Sequence, residues 1–231
     1  MNERLGRLGL LVGEEGLGAL ARAHVCVVGL GGVGGSCALA LARSGVGELT
    51  LIDGDAVEES NFNRQAIANE GTLGLPKPEA AARLIAAINP TIAVHQVFRR
   101  VGADELAEVI PAGCDVVIDC VDDLPVKIAL AKFAAGQQFL LLSCMGTARK
   151  WHPELLRFAD INNTRVCPVA KVMRRELKRA GVDRLTVLYS EEAPAPQLSE
   201  EPRPLGSTAF VPPVAGTMLA GYAVRRILGV E

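Results

Sequence analysis

Residues 27–34 read VVGLGGVG, a short apolar run passing directly into Gly29, Gly31 and Gly34 of a G-x-G-x-x-G pattern, with Gly32 inside it. Such a turn lets phosphate oxygens approach backbone N–H groups at a helix start. It serves a dinucleotide pyrophosphate as well as a nucleoside triphosphate. Asp53, which closes the second apolar run ELTLID, stands where a carboxylate accepts hydrogen bonds from ribose hydroxyls, and NAD and ATP both carry a ribose there. The polar segment DGDAVEESNFNRQ then gathers Asp55, Asn61, Asn63 and Arg64, and GLPKPE presents Lys77 just ahead of a helical pattern. A pyrophosphate held by backbone amides has no need of these cations, whereas a triphosphate does. A further run, CDVVIDC, is followed by Asp122 and Asp123. A carboxylate just past a central strand can hold Mg2+ beside the ligand crevice and leave room for phosphates. Taken singly, Arg64 and Lys77 read as surface cations and the Asp122–Asp123 pair as a helix cap.

The elements that must position these groups are legible from periodicity. Apolar runs at 24–29, 48–53, 91–97, 114–120 and 138–144 alternate with helical patterns near 32–44, 76–88, 103–110 and 124–135. That alternation predicts an α/β, Rossmann-like doubly wound and mainly parallel sheet, its strands apolar throughout because both faces are covered. Beyond residue 150 the rhythm changes to a C-terminal extension of mixed strands and helices. It holds strands at 155–161 and 184–190, a helix near 167–180, and a final helix within PVAGTMLAGYAVRRILG. The proline- and glutamate-rich stretch 191–204 reads as a mobile loop.

At 231 residues and 49% hydrophobic content, the chain is long enough for one α/β unit with a full core. A net charge of −2 excludes a globally basic nucleic-acid binder, so any such contact requires a local patch. One exists: seven cations lie between Arg165 and Arg184 against two acids, and Lys171, Arg174, Arg175 and Lys178 fall on one helical face opposite Val169, Met173, Leu177 and Ala180. The six cysteines show no C-x-x-C pair and read as reduced, mostly buried thiols. Cys144 and Cys167 read as packing or capping residues, although a thiol at a helix N-terminus is more acidic than usual. His24, His95 and His152 show no ligand spacing. Without a signal pattern or a bilayer-length apolar run, a cytoplasmic location is expected.

In order along the chain, RLGR (4–7), GLGGVG (29–34), LIDGD (51–55), SNFNRQ (60–65), GLPK (74–77), INP (88–90) and DCVDD (119–123) resemble the ubiquitin-activating-enzyme-like adenylyltransferases of the ThiF/MoeB type. CMG (144–146), PVAKVMRRELKRAGV (168–182), VLYSEE (187–192) and PPVAGTMLAGYA are similar to one branch, the threonylcarbamoyladenosine dehydratases of tRNA modification. The resemblance implies one adenylation unit over 1–231, with a nucleotide-binding core at 1–150 and a substrate-binding, dimer-forming extension at 151–231. It implies ATP and Mg2+. Gly29, Gly31, Gly32, Gly34, Asp53 and Asp55 would line the nucleotide, Asn61, Arg64 and Lys77 the phosphates, and Asp122 the metal. Arg7 would reach across a homodimer into the partner's site, and the basic face of Lys171, Arg174, Arg175 and Lys178 would meet tRNA.

The implied reaction is attack of a substrate carboxylate, that of the threonylcarbamoyl group on adenosine 37 of tRNA, upon the α-phosphate of ATP. The carbamoyl group then closes a ring and expels AMP. A second implied reading activates the C-terminal carboxylate of a ubiquitin-like sulfur carrier, with a sulfur-transfer partner. The absence of paired C-x-x-C motifs counts against it. A third, an NAD(P)-binding oxidoreductase or nucleotide sensor, is disfavoured by Arg64, Lys77 and Asp122. Two departures from the family pattern stand out: Asp123 where many relatives carry Asn, and CMGTARKWHPE, more basic and bulkier than the usual glycine-rich segment.

Overall fold

The computed structural model describes residues 3–198 and 204–230. Seven strands, β1 (His24–Val28), β2 (Glu48–Asp53), β3 (Ala93–Phe98), β4 (Val116–Asp119), β5 (Leu140–Cys144), β6 (Leu156–Asp160) and β7 (Thr186–Ser190), form one sheet. Its order is β3-β2-β1-β4-β5-β7-β6, and every pairing is parallel except that of β6 with β7. The helices are α1 (Gly6–Arg22), α2 (Gly32–Arg43), α3 (Lys77–Ile88), α4 (Leu106–Val109), α5 (Leu124–Ala134), α6 (Pro168–Arg179) and α7 (Val211–Leu228).

Strand side chains alternate between two apolar layers. Val25 and Val27 of β1 join the layer of α2, α3 and α7, while Cys26 and Val28 join that of α4, α5 and α6, and all four are buried. Covering both faces explains why β1, β2, β4 and β5 are almost continuously apolar. The strand order reverses between β1 and β4, which opens a ligand crevice at their carboxyl ends.

The expected doubly wound sheet is therefore present, with two local differences. The helix expected at 103–110 shortens to Leu106–Val109, because the Gly102 N–H donates to the Glu105 carboxylate in a turn before it and Pro111 follows it. Helix α1 is not among the expected elements: its apolar residues keep helical spacing, but Gly6, Gly9, Gly13, Gly16 and Gly18 lower its helix propensity. At Gly13 the backbone leaves helical geometry altogether (φ 69°, ψ −180°). Of the 191–204 stretch, residues 199–203 lie outside the described residues. Among the described residues no helix is long and apolar enough to cross a membrane.

Candidate functional site

The turn after β1 is built from glycines that have two different reasons for being glycine. Gly29 has φ 87°, and an added Cβ would lie 2.9 Å from the Cys120 carbonyl carbon and oxygen beyond β4. At Gly34 an added Cβ would fall 1.7 Å from Gly29 O. Protein packing alone demands both. Gly31, by contrast, has φ −67°, which any residue adopts, and an added Cβ there meets no protein atom within 4 Å. It is the N-cap of α2, whose first turn has no side-chain cap, so the helix presents its N-terminal amides to the crevice. Gly32 faces Pro212 and Arg64, with an added Cβ 2.9 Å from Pro212 Cβ and 3.1 Å from Arg64 O.

Asp53 ties this turn to β2. Its Oδ2 accepts from Leu30 N (2.6 Å) and its Oδ1 from Asp55 N (2.8 Å), leaving further lone pairs on each oxygen for a hydroxyl donor. The buried Lys77, first residue of α3, places Nζ 3.1 Å from Asp55 Oδ2 and 4.0 Å from Asp53 Oδ1. Arg100 donates to the other Asp55 oxygen at 2.9 Å. Burial pushes the Asp55 carboxyl up, but hydrogen bonds from Arg100 and Lys77 outweigh it and hold the group below the usual carboxylate range. Arg100 is raised first by its bond to Asp55, and the charges of Asp53 and Asp122 act in the same direction. Its sequence signal was the RR pair directly after β3, beside the end of β2.

Arg64 Nη1 donates to Ser60 O (2.7 Å) and to Asn63 Oδ1 (2.9 Å), and Asn63 Nδ2 donates to Ser207 O (3.2 Å). Asn61 is buried and occupied locally: its Oδ1 accepts from Glu58 N and its Nδ2 donates to Ser60 Oγ, both at 3.2 Å. It thus shapes the one-turn 3-10 helix Glu59–Asn61, whose end accepts from Arg64 N (3.1 Å). The neighbouring Gln65 is buried, and its Oε1 has no hydrogen-bond partner among the described residues.

Asp122 is exposed beyond β4, while Asp123 caps α5 by accepting from Val126 N at 3.1 Å. Behind them lies a buried network that the sequence reading passed over. Lys127 Nζ donates to Asp119 Oδ2 (2.8 Å) and Cys144 O (2.8 Å), and Ser143 Oγ donates to the same Asp119 oxygen (2.5 Å). Asp119 Oδ1 accepts from Val121 N (3.2 Å), fixing the backbone that leads to Asp122. The signal was Lys127 in the first helical turn after DCVDD. Among the described residues no group of three or more His, Cys, Asp or Glu side chains is arranged as a metal cage. The exposed Asp122 carboxylate offers one oxygen ligand to a hard cation.

All six cysteines are free. Burial pushes the Cys144 thiol up to about 12, and Cys167 is the buried N-cap of α6. Two of the dispersed histidines do meet: His24 and His95 have ring centroids 5.9 Å apart and share Glu48, at the sheet edge opposite the crevice. On α6, Lys171, Arg175 and Lys178 are exposed, but Arg174 turns back to Thr164, donating to its carbonyl (2.9 Å) and hydroxyl (2.6 Å). The buried stripe is Ala170, Met173 and Leu177, and Ala180 is exposed. Arg7 is exposed on the first turn of α1 and makes no hydrogen bond or ion pair with a described residue.

Comparison with known proteins settles the family. The model of the ThiF family matches residues 5–231. The chain belongs to the ThiF family. It is 36% identical over 243 residues to the tRNA threonylcarbamoyladenosine dehydratase of Bacillus subtilis, across 99% of this chain and 96% of that one. It superposes on the crystal structure of the E. coli tRNA N6-threonylcarbamoyladenosine dehydratase in complex with AMP with a TM-score of 0.91 and 32% identity, covering 98% of this chain and 94% of that one. The ATP complex of that enzyme gives a TM-score of 0.90. A molybdopterin-synthase adenylyltransferase from Salmonella typhimurium is 44% identical, but over 113 residues only, 49% of this chain and 45% of that one. The likeness to the dehydratases thus spans nearly the whole chain at 32–36% identity, whereas that to the Salmonella typhimurium adenylyltransferase spans about half of it.

Proposed function

We propose that this ThiF-family chain is an ATP-dependent dehydratase acting on the threonylcarbamoyl group of an adenosine in tRNA. The observation that carries the reading is the extent of the likeness to dehydratases, 98–99% of this chain, where that to a molybdopterin-synthase adenylyltransferase covers 49%.

ATP supplies the activating group: a carboxylate attacking its α-phosphorus displaces pyrophosphate, and the substrate's own carbamoyl group then attacks the activated carbon, releasing AMP with net loss of water. The chain's part is positioning and charge. The amides at the start of α2 and the side chains of Arg64 and Lys77 would face the phosphates, Asp53 would accept from the ribose hydroxyls, and Asn61 would hold Arg64 in place. Asp122 would hold Mg2+, which when bound offsets phosphate charge. Arg7, exposed and without a hydrogen bond or ion pair to a described residue, would complete the site of a second copy in a homodimer. Lys171, Arg175 and Lys178 would meet tRNA phosphates. A cytoplasmic setting follows from a tRNA substrate. Cys144, buried and pushed up to about 12, does not favour a sulfur-transfer role.

Exchange of radiolabelled pyrophosphate into ATP tests the reading. Stimulation by tRNA carrying threonylcarbamoyladenosine, and none by a carboxyl-terminal peptide of a ubiquitin-like carrier, is the expected result; the reverse pattern would transfer the adenylation site to a protein substrate.

A further inference from the structure

Between β5 and β6 the chain displays a feature that the nucleotide chemistry does not use. Trp151 is 60% exposed and Phe210 43% exposed, their ring centroids 6.5 Å apart and inclined by 46°. The backbone that carries Trp151 is braced. The Glu192 carboxylate accepts from the backbone N–H groups of both Trp151 (2.9 Å) and His152 (3.0 Å). Lys150 is buried, with its amine donating to the Glu192 carbonyl, and its own carbonyl accepts from Thr208 Oγ. Arg149 is held at φ 56°, a conformation that a non-glycine residue keeps only where its surroundings impose it. Here they do: its N–H donates to Gly206 O and its carbonyl accepts from Ala195 N. Its guanidinium, half-buried, makes no hydrogen bond or ion pair with a described residue.

The braced pair lies on the substrate side of the crevice. Phe210 caps α7, two residues before the Pro212 that packs on Gly32, and Ser207 is bonded to Asn63 beside Arg64. On the other flank Gly146 packs against Val169 at the start of α6, continuing into the exposed Lys171. A rigid aromatic surface between a phosphate-binding turn and a basic helix, with an unengaged guanidinium at its edge, has the chemistry of a base-stacking platform.

We propose that Trp151, with Phe210 and the Arg149 guanidinium, stacks an unpaired nucleobase of the RNA substrate and so presents the adjoining modified nucleoside to the adenylation site. The inference rests on the dehydratase reading and deepens it. An apolar segment of a partner protein is the competing occupant; the cationic rim favours RNA.

The chain contains a single tryptophan, so its intrinsic fluorescence reports Trp151 alone. We expect an anticodon stem-loop RNA carrying threonylcarbamoyladenosine to quench it in step with binding. Trp151→Ala should weaken that binding by about 5- to 150-fold, the range for losing one stacked base, with Trp151→Phe restoring most of it. Because Trp151→Ala could disturb the 149–152 loop, Phe210→Ala, outside the Glu192 brace, provides a second variant and should weaken RNA binding in the same direction. Unchanged RNA affinity in both variants, with no quenching although the tRNA nucleoside still loses water, overturns the platform and leaves the dehydratase reading standing. Quenching by a ubiquitin-like carrier and none by RNA overturns both.

Discussion

In the crevice between β1 and β4 the charged groups are already engaged with one another. Lys77 and Arg100 share Asp55, Asp53 holds the glycine turn, Arg64 is braced by Ser60 and Asn63, and the buried Lys127–Asp119 pair lies behind. On α6 and the 149–152 loop the arrangement is the opposite: the backbone is braced, but Arg149, Lys171 and Lys178 keep their charged ends free of hydrogen bonds and ion pairs among the described residues. The contrast fits the two ligands of the proposed function. The same ATP would enter at every turnover and meet groups fixed beforehand, which costs no reorganisation at the moment of reaction. A large polyanion is captured by solvated cations that exchange counterions for phosphates.

This contrast can be broken at either end, and the largest effects belong to the crevice. Asp119→Ala leaves Lys127 charged and unpaired in the core and should cost about 3–5 kcal/mol in denaturant unfolding; Lys171→Ala should stay within about 0.5 kcal/mol. Arg64→Ala should leave the unfolding curve in place while lowering adenylation about 10²- to 10³-fold. Near-normal turnover there would remove Arg64 from the phosphates. The glycines separate packing from ligand approach: Gly34→Ala should destabilise by about 1–3 kcal/mol through overpacking, whereas Gly31→Ala should keep its stability and lose ATP affinity.

At the RNA end the effects are smaller and depend on salt. Each of Lys171 and Lys178 should contribute about −0.7 to the slope of log K against log salt for a single strand. Arg174→Ala, whose guanidinium faces Thr164, should leave that slope unchanged. The smallest effect lies away from both regions. Burial holds His24 below its usual value of 6.5, opposed in part by Glu48, so the folded state favours the neutral ring. The unfolded chain then binds more protons, and stability should fall as the pH drops below about 6.5. Replacing His24 with Gln should flatten that slope.

Much of the crevice was legible because its residue types are dictated locally. Gly29 and Gly34 cannot carry a side chain, the strands they follow are apolar on both faces, and Asp53 and Lys77 sit at fixed offsets from strand end and helix start. What the sequence did not disclose depends on contacts between segments. Asp119 reads as the end of a strand until Lys127 and Ser143 are seen to meet it. Arg100 gains meaning only when β3 lies beside β2. Arg174 belongs to the basic face by helical spacing, yet Thr164, before the helix, draws it inward. Trp151 and Phe210 come from opposite sides of β6, α6 and β7. Helix α1, with its five glycines, reads as a weak helix former despite its helical spacing of apolar residues.

The central claim is that ATP drives loss of water from a tRNA nucleoside on this chain. Mass spectrometry of nucleosides from threonylcarbamoyladenosine-bearing tRNA, incubated with the protein and Mg-ATP while AMP is followed in parallel, tests it most directly. The account predicts that the modified nucleoside loses one water for each AMP released. An unchanged nucleoside, with AMP or pyrophosphate appearing only when a ubiquitin-like carrier is added, would contradict it.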